Sequence, residues 1–260
     1  MTVQWIALTR PVSPSIARCE LTYLERQPID YDLAQRQHHS YQACLESLGC
    51  RVEPLPSEPE LPDAVFVEDI AIVLDEVAVI TRPGAESRRP EIPSVVSALQ
   101  VYRPLVSIVT PGTLDGGDVL LLDKTLYVGI SSRSNLAGIE QLRALLESYG
   151  YDVLAVPLTG CLHLKSAVTQ IGKGHLLLNP HWISPADFPG YRCLEIDPGE
   201  PHAANALLVG DGVIYPTAYP QTRMRMESVG VQVISVEVSE LIKAEGAVTC
   251  CSLIFKDNSS

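Results

Sequence analysis

The sequence predicts an α/β protein built as a ring of five strand–strand–helix–strand units, closed by the C-terminal strand. Three observations predict it. Short apolar runs recur as hairpin pairs, each followed by a longer stretch and a further apolar run. The landmarks Ala64, Asp115, His163 and Ala203 stand 51, 48 and 40 residues apart, about the length of one such unit. Tight turns such as Gly172-Lys173-Gly174 are frequent, whereas a doubly wound α/β domain, the alternative open to the same elements, contains few hairpins. At 260 residues the chain reads as a single domain over 1–260 that can bury a full core.

In order, residues 4–9 read as a first buried strand. The stretch from Arg10 to Tyr31, with prolines at 11, 14 and 28, is too long for a plain connection and reads as a lid or binding loop. Asp32 is placed to cap a helix running to Leu48, with Leu33, Tyr41, Cys44, Leu45 and Leu48 near one face and Gly49 ending it. Residues 51–55 form a short strand. The next unit comprises apolar pieces at 64–67 and 70–74, a strand at 77–81, a helix near 94–101 and a strand at 106–109. The third has strands at 119–122 and 126–130 around Asp123-Lys124, then a helix from Asn135 to Ser148 and a strand at 153–156. Its apolar stripe is Leu136, Ile139, Leu142, Leu145 and Leu146. The fourth has 167–171, 176–178, an irregular stretch and 193–196; the fifth has 206–209, 213–215, a helix near 221–229 and 231–236. A strand at 249–255 then closes the ring against the first.

Composition narrows the function. The formal charge of −12 argues against nucleic acid and anionic membrane as partners, because both need basic surface, and it suits a cationic ligand. No run of about 18 apolar residues is present to span a bilayer. The start has no basic segment followed by a long apolar block, so no signal peptide is read. Seven cysteines at irregular spacings make no disulfide framework, and without a Cys-x-x-Cys a structural zinc site is not indicated. A reducing, cytoplasmic setting follows. Both Gly-x-Gly-x-x-Gly and Gly-Lys-Ser/Thr are missing, so no nucleotide or other cofactor is expected.

The stretch Gly246-Ala247-Val248-Thr249-Cys250-Cys251 sets a nucleophilic side chain at the mouth of an apolar strand, after a glycine that frees the turn. Alone, such a cysteine reads as a small buried hydrophobe. Three further stretches set titratable groups beside apolar runs: Asp63 to Asp69, Leu114-Asp115-Gly116-Gly117-Asp118, and Leu162-His163-Leu164-Lys165. Singly these are solvated charges, a turn and a core histidine. Around one cavity they make a thiolate that attacks a planar carbon, an imidazole that protonates the leaving group, and carboxylates that attract a cation. A guanidinium is planar and suits paired carboxylates, while Arg88 and Arg133 could hold a carboxylate at the ligand's other end. The ligand so described is an arginine-like amino acid. On a strand, Cys250 and Cys251 must face opposite ways, and the earlier residue is the better placed for the cavity.

The chain resembles the dimethylarginine dimethylaminohydrolases, of the guanidino-modifying (pentein) superfamily. The stretches that carry the likeness are Pro62-Asp63 with Phe66-Val67-Glu68-Asp69, Ile80-Thr81-Arg82-Pro83-Gly84-Ala85 with Ser87-Arg88-Arg89, Asp115-Gly116-Gly117-Asp118, Leu162-His163-Leu164-Lys165 and Thr249-Cys250. The resemblance implies a five-bladed α/β propeller of ββαβ modules with pseudo-five-fold symmetry. It also implies hydrolysis of Nω-methylated arginine to citrulline and a methylamine through a covalent thiouronium. By the same resemblance Cys250 is the nucleophile, His163 the general acid and then base, and Asp115 the residue that orients it. Glu68 and Asp69 match carboxylates beside the guanidinium. Asp63, Arg88 and Arg133 match residues holding the amino and carboxylate groups, and Leu21 matches a lid contact. Ala244 and Glu245 stand where the family often has a larger aliphatic residue and an aspartate, a departure that bears on the fit around the ω-nitrogens. The implied partner is a small cationic amino acid, the enzyme being a monomer or homodimer.

Other readings use the same residues. Arginine deiminases of the superfamily are longer, with a helical insert after the first module for which residues 51–63 leave no room. A propeller used only for binding has no reason to bring a cysteine, a histidine and three acidic motifs together. A metallohydrolase would take Cys250, His163 and Asp115 as ligands, and zinc could also bind them adventitiously as an inhibitor.

Overall fold

The computed structural model describes residues 4–257. Its strands form five separate three-stranded sheets, and all five share one plan. A first strand pairs antiparallel with a second, and a longer crossover returns the chain to a third strand parallel to the second. A two-stranded antiparallel step needs only a tight turn, whereas the parallel step needs a crossover; this is why hairpins and helices alternate along the sequence.

The chain enters as β1 (Trp5–Thr9), α1 (Tyr31–Ser47) and β2 (Cys50–Pro54). The next blade is β3 (Ala71–Val73), β4 (Ala78–Ile80), α2 (Ile92–Leu99) and β5 (Leu105–Ser107). Then come β6 (Val119–Leu122), β7 (Thr125–Ile130), α3 (Leu136–Leu146) and β8 (Asp152–Pro157). A short α4 (Leu164–Ala167) leads into β9 (Val168–Gly172), β10 (His175–Leu178) and β11 (Arg192–Glu195), the one blade with an irregular crossover. The fifth set is β12 (Leu207–Val209), β13 (Gly212–Pro216), α5 (Pro220–Ser228) and β14 (Gln232–Val236). After α6 (Ser239–Ile242), β15 (Leu253–Lys256) pairs antiparallel with β1, Ile6 opposite Phe255 and Leu8 opposite Leu253, and supplies the strand that the first blade lacks. The molecule is the five-bladed α/β propeller that the sequence predicted.

The strands β3, β6, β9, β12 and β15 are the leading strands of their blades, and β15 lies against β3 as β9 does against β12. The loop that precedes each leading strand carries polar residues that are candidates for a site or bond to them: Glu68 and Asp69 before β3, Asp115 and Asp118 before β6, His163 before β9, Asn205 before β12, Cys250 before β15. The repeat seen in the sequence is therefore the repeat of these entry loops.

Several local expectations change. Asp30, not Asp32, caps α1: its carboxylate accepts from Leu33 N at 3.0 Å, which leaves Asp32 inside the first turn where a negative charge complements the helix dipole. The buried face of α1 is Ala34, Gln37, His38, Tyr41 and Leu45, while Leu33, Cys44 and Leu48 are half-buried. Gln37 tolerates burial because it bonds Ser239 Oγ and Glu240 N. On α3, Leu136 is exposed and Leu145 half-buried, so the core-facing residues are Gly138, Ile139, Leu142 and Leu146. The helix expected near 94–101 begins earlier, at Ile92, after a 3₁₀ turn over Glu86–Glu91. The closing strand is shorter than expected. Residues 248–251 form a turn, because the Thr249 N–H goes to Asn205 Oδ1 and the Cys250 carbonyl to Glu68 N, which takes both groups away from a ladder. Among the described residues no helix is long and apolar enough to cross a membrane.

Candidate active site

Cys250 stands on the 248–251 turn, and that turn is fastened from three sides. Glu68 N donates to the Cys250 carbonyl at 3.1 Å. Asn205 Nδ2 donates to Thr249 Oγ1 at 3.0 Å, and Tyr41 on α1 donates to the Val248 carbonyl at 2.9 Å while bonding Ser252 Oγ. Cys251 is fully buried and within 3.4 Å of the Ala247 carbonyl; Cys250 is half-buried and lines a small pocket. The division of the two thiols follows the sequence expectation, but a fixed turn and not strand alternation produces it.

His163 is buried and its Nε2 lies 3.1 Å from Asp115 Oδ2 and 3.9 Å from Asp69 Oδ1. Asp115 is held by its neighbours: Oδ1 accepts from Gly84 N at 2.9 Å, and its own N–H donates to Ser134 Oγ. Asp118 joins the same network, with Oδ1 accepting from Leu164 N at 3.0 Å and Oδ2 from the hydroxyls of Ser131 and Ser134 at 2.6 Å. The two glycines between these aspartates are required by space. A Cβ on Gly116 would sit 2.0 Å from the Glu68 carbonyl, and one on Gly117 would sit 2.8 Å from both Asp69 Oδ1 and His163 Nδ1. Gly117 also gives its N–H to Asp69 Oδ1 at 2.9 Å.

The charge states follow from this packing. Burial works against a charged His163, but the carboxylate of Asp69, the bond to Asp115 and the charge of Asp118 outweigh it and lift the imidazole to about 9. Burial would raise Asp69; His163 and Arg88 outweigh it and hold that carboxyl below its usual range. Burial and then the charges of Glu68 and Asp69 push the Cys250 thiol up to about 12. At neutral pH the resting pair is therefore a neutral thiol beside an imidazolium.

Of the residues singled out from sequence, Cys250, His163, Asp115, Asp69, Asp63 and Ala244 line one pocket, together with Arg88 and Arg133. Two lie elsewhere, and a third, Arg88, lines the pocket but differs in what it bonds. Glu68 turns behind Cys250: its Oε1 takes Lys165 Nζ at 2.6 Å and its Oε2 takes Thr249 Oγ1 at 2.8 Å, and it lines a different cavity of about 310 Å³. Leu21 packs against the core, and the lid residue that lines the pocket is Glu20, whose N–H meets both oxygens of Asp63 at 3.2 Å. Arg88 is spent on protein. Its Nε and Nη2 grip Glu91 at 3.0 and 2.8 Å, Nη2 also reaches the Phe66 carbonyl, and Nη1 pairs with Asp69. Its geometry fits positioning of Asp69 better than the carboxylate hook expected of it; Arg133, whose side chain bonds only Thr22 Oγ1, through Nη2, among the described residues, is the freer guanidinium. Glu91, Asn205 and Tyr41 escaped the sequence reading. Only Glu91 left a signal, its spacing three residues after Arg88 on one turn. The ligand atoms of Asp69, Asp115 and His163 lie within 4.8 Å of one another, but Cys250, required by the metallohydrolase reading, is outside that group, and Gly84, Gly117 and Arg88 already occupy its carboxylates.

A family profile described as "N,N dimethylarginine dimethylhydrolase, eukaryotic" matches residues 23–185. An N(G),N(G)-dimethylarginine dimethylaminohydrolase from Streptomyces coelicolor is 40% identical over 253 residues, covering 96% of this chain and 97% of that one. The chain belongs to the dimethylarginine dimethylaminohydrolase family. A second member, from Pseudomonas aeruginosa, is 37% identical over 228 residues, 87% of this chain and 90% of its own. A solved structure of the Pseudomonas aeruginosa dimethylarginine dimethylaminohydrolase, a cysteine-to-serine variant complexed with citrulline, superposes with a TM-score of 0.93 at 34% identity, over 98% of this chain and all of that one.

Proposed function

We propose that the protein is an amidine hydrolase that converts Nω-methylated arginine to citrulline and a methylamine through a thiouronium on Cys250. The observation that carries this is the convergence in one pocket of Cys250, an imidazolium at His163 and the carboxylates of Asp63 and Asp69. A neutral thiol is a weak nucleophile, so the cationic guanidinium itself activates Cys250: its charge offsets that of Glu68 and Asp69, and the thiol loses its proton to solvent as the cation docks. The thiolate adds to the central carbon. His163, charged and held by Asp115, passes its proton to the departing amine, and the C–N bond breaks as the S–C bond is kept. The now neutral imidazole takes a proton from water, hydroxide adds to the thiouronium carbon, and the S–C bond breaks as the added hydroxyl gives its proton to solvent, which yields citrulline and the free thiolate. Asp69 faces the guanidinium, with Arg88 fixing its orientation. Asp63 takes the substrate's ammonium and Arg133 its carboxylate. We place the enzyme in a reducing, cytoplasmic setting, acting as one domain over 1–260 without a cofactor. The direct test is citrulline formation from arginine, monomethylarginine and asymmetric dimethylarginine, compared by kcat/KM. A preference for the methylated substrates is expected; a preference for arginine would make the protein a deiminase using the same residues.

A further inference from the structure

Glu245 is one of only two non-glycine residues with positive φ among the described residues, at 57°, and it follows α6 where a glycine would suit the left-handed backbone. The other, Asp123, sits in an ordinary hairpin turn. The Glu245 side chain reaches the lid. One carboxylate accepts the backbone N–H groups of Thr22 at 3.0 Å, Tyr23 at 2.5 Å and Leu24 at 2.6 Å. Successive N–H groups curled around one acceptor form a backbone nest, a geometry that suits an anion at its centre.

The lid tip has two other polar anchors on the pocket's wall. Glu20 N donates to Asp63, and Thr22 Oγ1 accepts from Arg133. Both partners are the groups assigned above to the substrate's ammonium and carboxylate. A substrate that takes Asp63 and Arg133 therefore draws on the very bonds that hold residues 20–22 down; Glu245 lines the same pocket, but its carboxylate is turned to the lid amides, so a ligand seated on those two groups leaves that anchor in place. With the tip docked, the pocket beside Cys250 has a cavity volume of only about 20 Å³, far below the roughly 300–1,000 Å³ of small-molecule sites. The tip must lift to admit an amino acid and settle again over it.

We propose that Glu245 is a positioning residue that re-docks the lid tip, through the N–H groups of residues 22–24, onto the segment leading into the nucleophile turn once substrate has taken over Asp63 and Arg133. The carboxylate is carried on residue 245 and the nucleophile on residue 250, so lid closure is referenced to the reacting sulfur through a short, fixed stretch of chain. This rests on the hydrolase reading for the identity of the substrate, but not for the latch itself.

The test compares Glu245→Gly, which suits the backbone and deletes the carboxylate, with Glu245→Gln, which keeps the shape and one acceptor oxygen. Two readouts are taken on the full chain: kcat and KM for asymmetric dimethylarginine, and the rate at which iodoacetamide alkylates Cys250 without substrate, followed by mass spectrometry. For Glu245→Gly, losing charge-assisted bonds to three amides should raise KM about tenfold, leave kcat within about threefold, and speed alkylation about tenfold. Glu245→Gln should fall between that variant and wild type, and melting temperatures should stay near wild type. Wild-type KM and alkylation rate in Glu245→Gly would overturn the proposal. So would equal acceleration of alkylation in both variants, which would trace the effect to lost charge and not to a lost latch. If wild type turns over no methylarginine, the hydrolase reading falls while the alkylation rates still decide the latch.

Discussion

Arg88 and Arg133 line the same pocket, yet the fold uses them in opposite ways. Arg88 is buried, with Asp69, Glu91 and the Phe66 carbonyl consuming its donors, and Glu91 and Asp69 keep it charged against the cost of burial. Arg133 stands at the rim, its side chain bonded to a lid hydroxyl. The same division runs through the site. The floor formed by Asp69, Asp115, Asp118, His163 and the Cys250 turn is cross-linked by short hydrogen bonds within the protein, while the rim of Arg133, Asp63 and the lid tip has bonds that a ligand can replace. On the proposed function, the saturated floor would fix geometry for the chemical step and the exchangeable rim would select the ligand.

The sharpest way to break this contrast is at the floor's reacting atom. Cys250→Ser should abolish turnover, because a serine hydroxyl is too weak a nucleophile for a guanidinium carbon, and Cys251→Ser should stay active with a modest loss of stability. A steady-state citrulline assay on both variants decides it; activity in the first with inactivity in the second would reverse the assignment. Next in size, His163→Ala should lose about 10²-fold or more in kcat with little change in KM, since the imidazolium acts only on the leaving amine and on water. Near-normal turnover in that variant would remove His163 from the chemistry.

The arginines themselves give the next effect. Arg88→Met leaves Asp69 and Glu91 buried without their cation, and breaking a buried pair in this way costs about 3–5 kcal/mol, which thermal melting should register. Arg133→Met should melt near wild type but raise KM about tenfold for methylarginines and leave a simple alkylguanidine unaffected. If both variants melt alike and lose the same affinity, the distinction between floor and rim is wrong.

The smallest effect is in pH dependence. Burial, partly offset by Arg88, raises the Asp63 carboxyl to about 6, and His163 stands at about 9. Asp63 binds an ammonium only when ionised, so kcat/KM should rise with pH through about 6. His163 donates only when protonated, so kcat/KM should fall through about 9. With an alkylguanidine that has no ammonium group, the upper limb should remain and the lower one should vanish. A lower limb that persists would detach it from Asp63.

The blade plan was legible in the sequence because it is a periodic pattern: an apolar hairpin, a longer crossover and an apolar return recur at nearly constant length. The candidate site residues were legible because Asp115-Gly116-Gly117-Asp118 and Leu162-His163-Leu164 place polar groups where an ordinary strand would be apolar, while the roles expected of them came from the family resemblance. What the sequence hid were contacts between residues far apart in the chain. Nothing local says that Glu68 will turn back to Lys165 and Thr249 while Asp69, its neighbour on the same 3₁₀ turn, faces the pocket. Nothing local says that Arg88 will be saturated and Arg133 left at the rim. The same holds for the 248–251 turn, whose apolar composition suits a strand but whose polar backbone groups are claimed by Asn205 and Glu68.

Covalent capture of the substrate by Cys250 can be measured directly. Wild-type protein turning over asymmetric dimethylarginine is quenched in acid, digested and examined by mass spectrometry. The peptide holding Cys250 should carry an added mass equal to the substrate less dimethylamine, absent without substrate and absent in Cys250→Ser. Citrulline formed at an undiminished rate by Cys250→Ser, with no adduct on any peptide of the wild type, would contradict it.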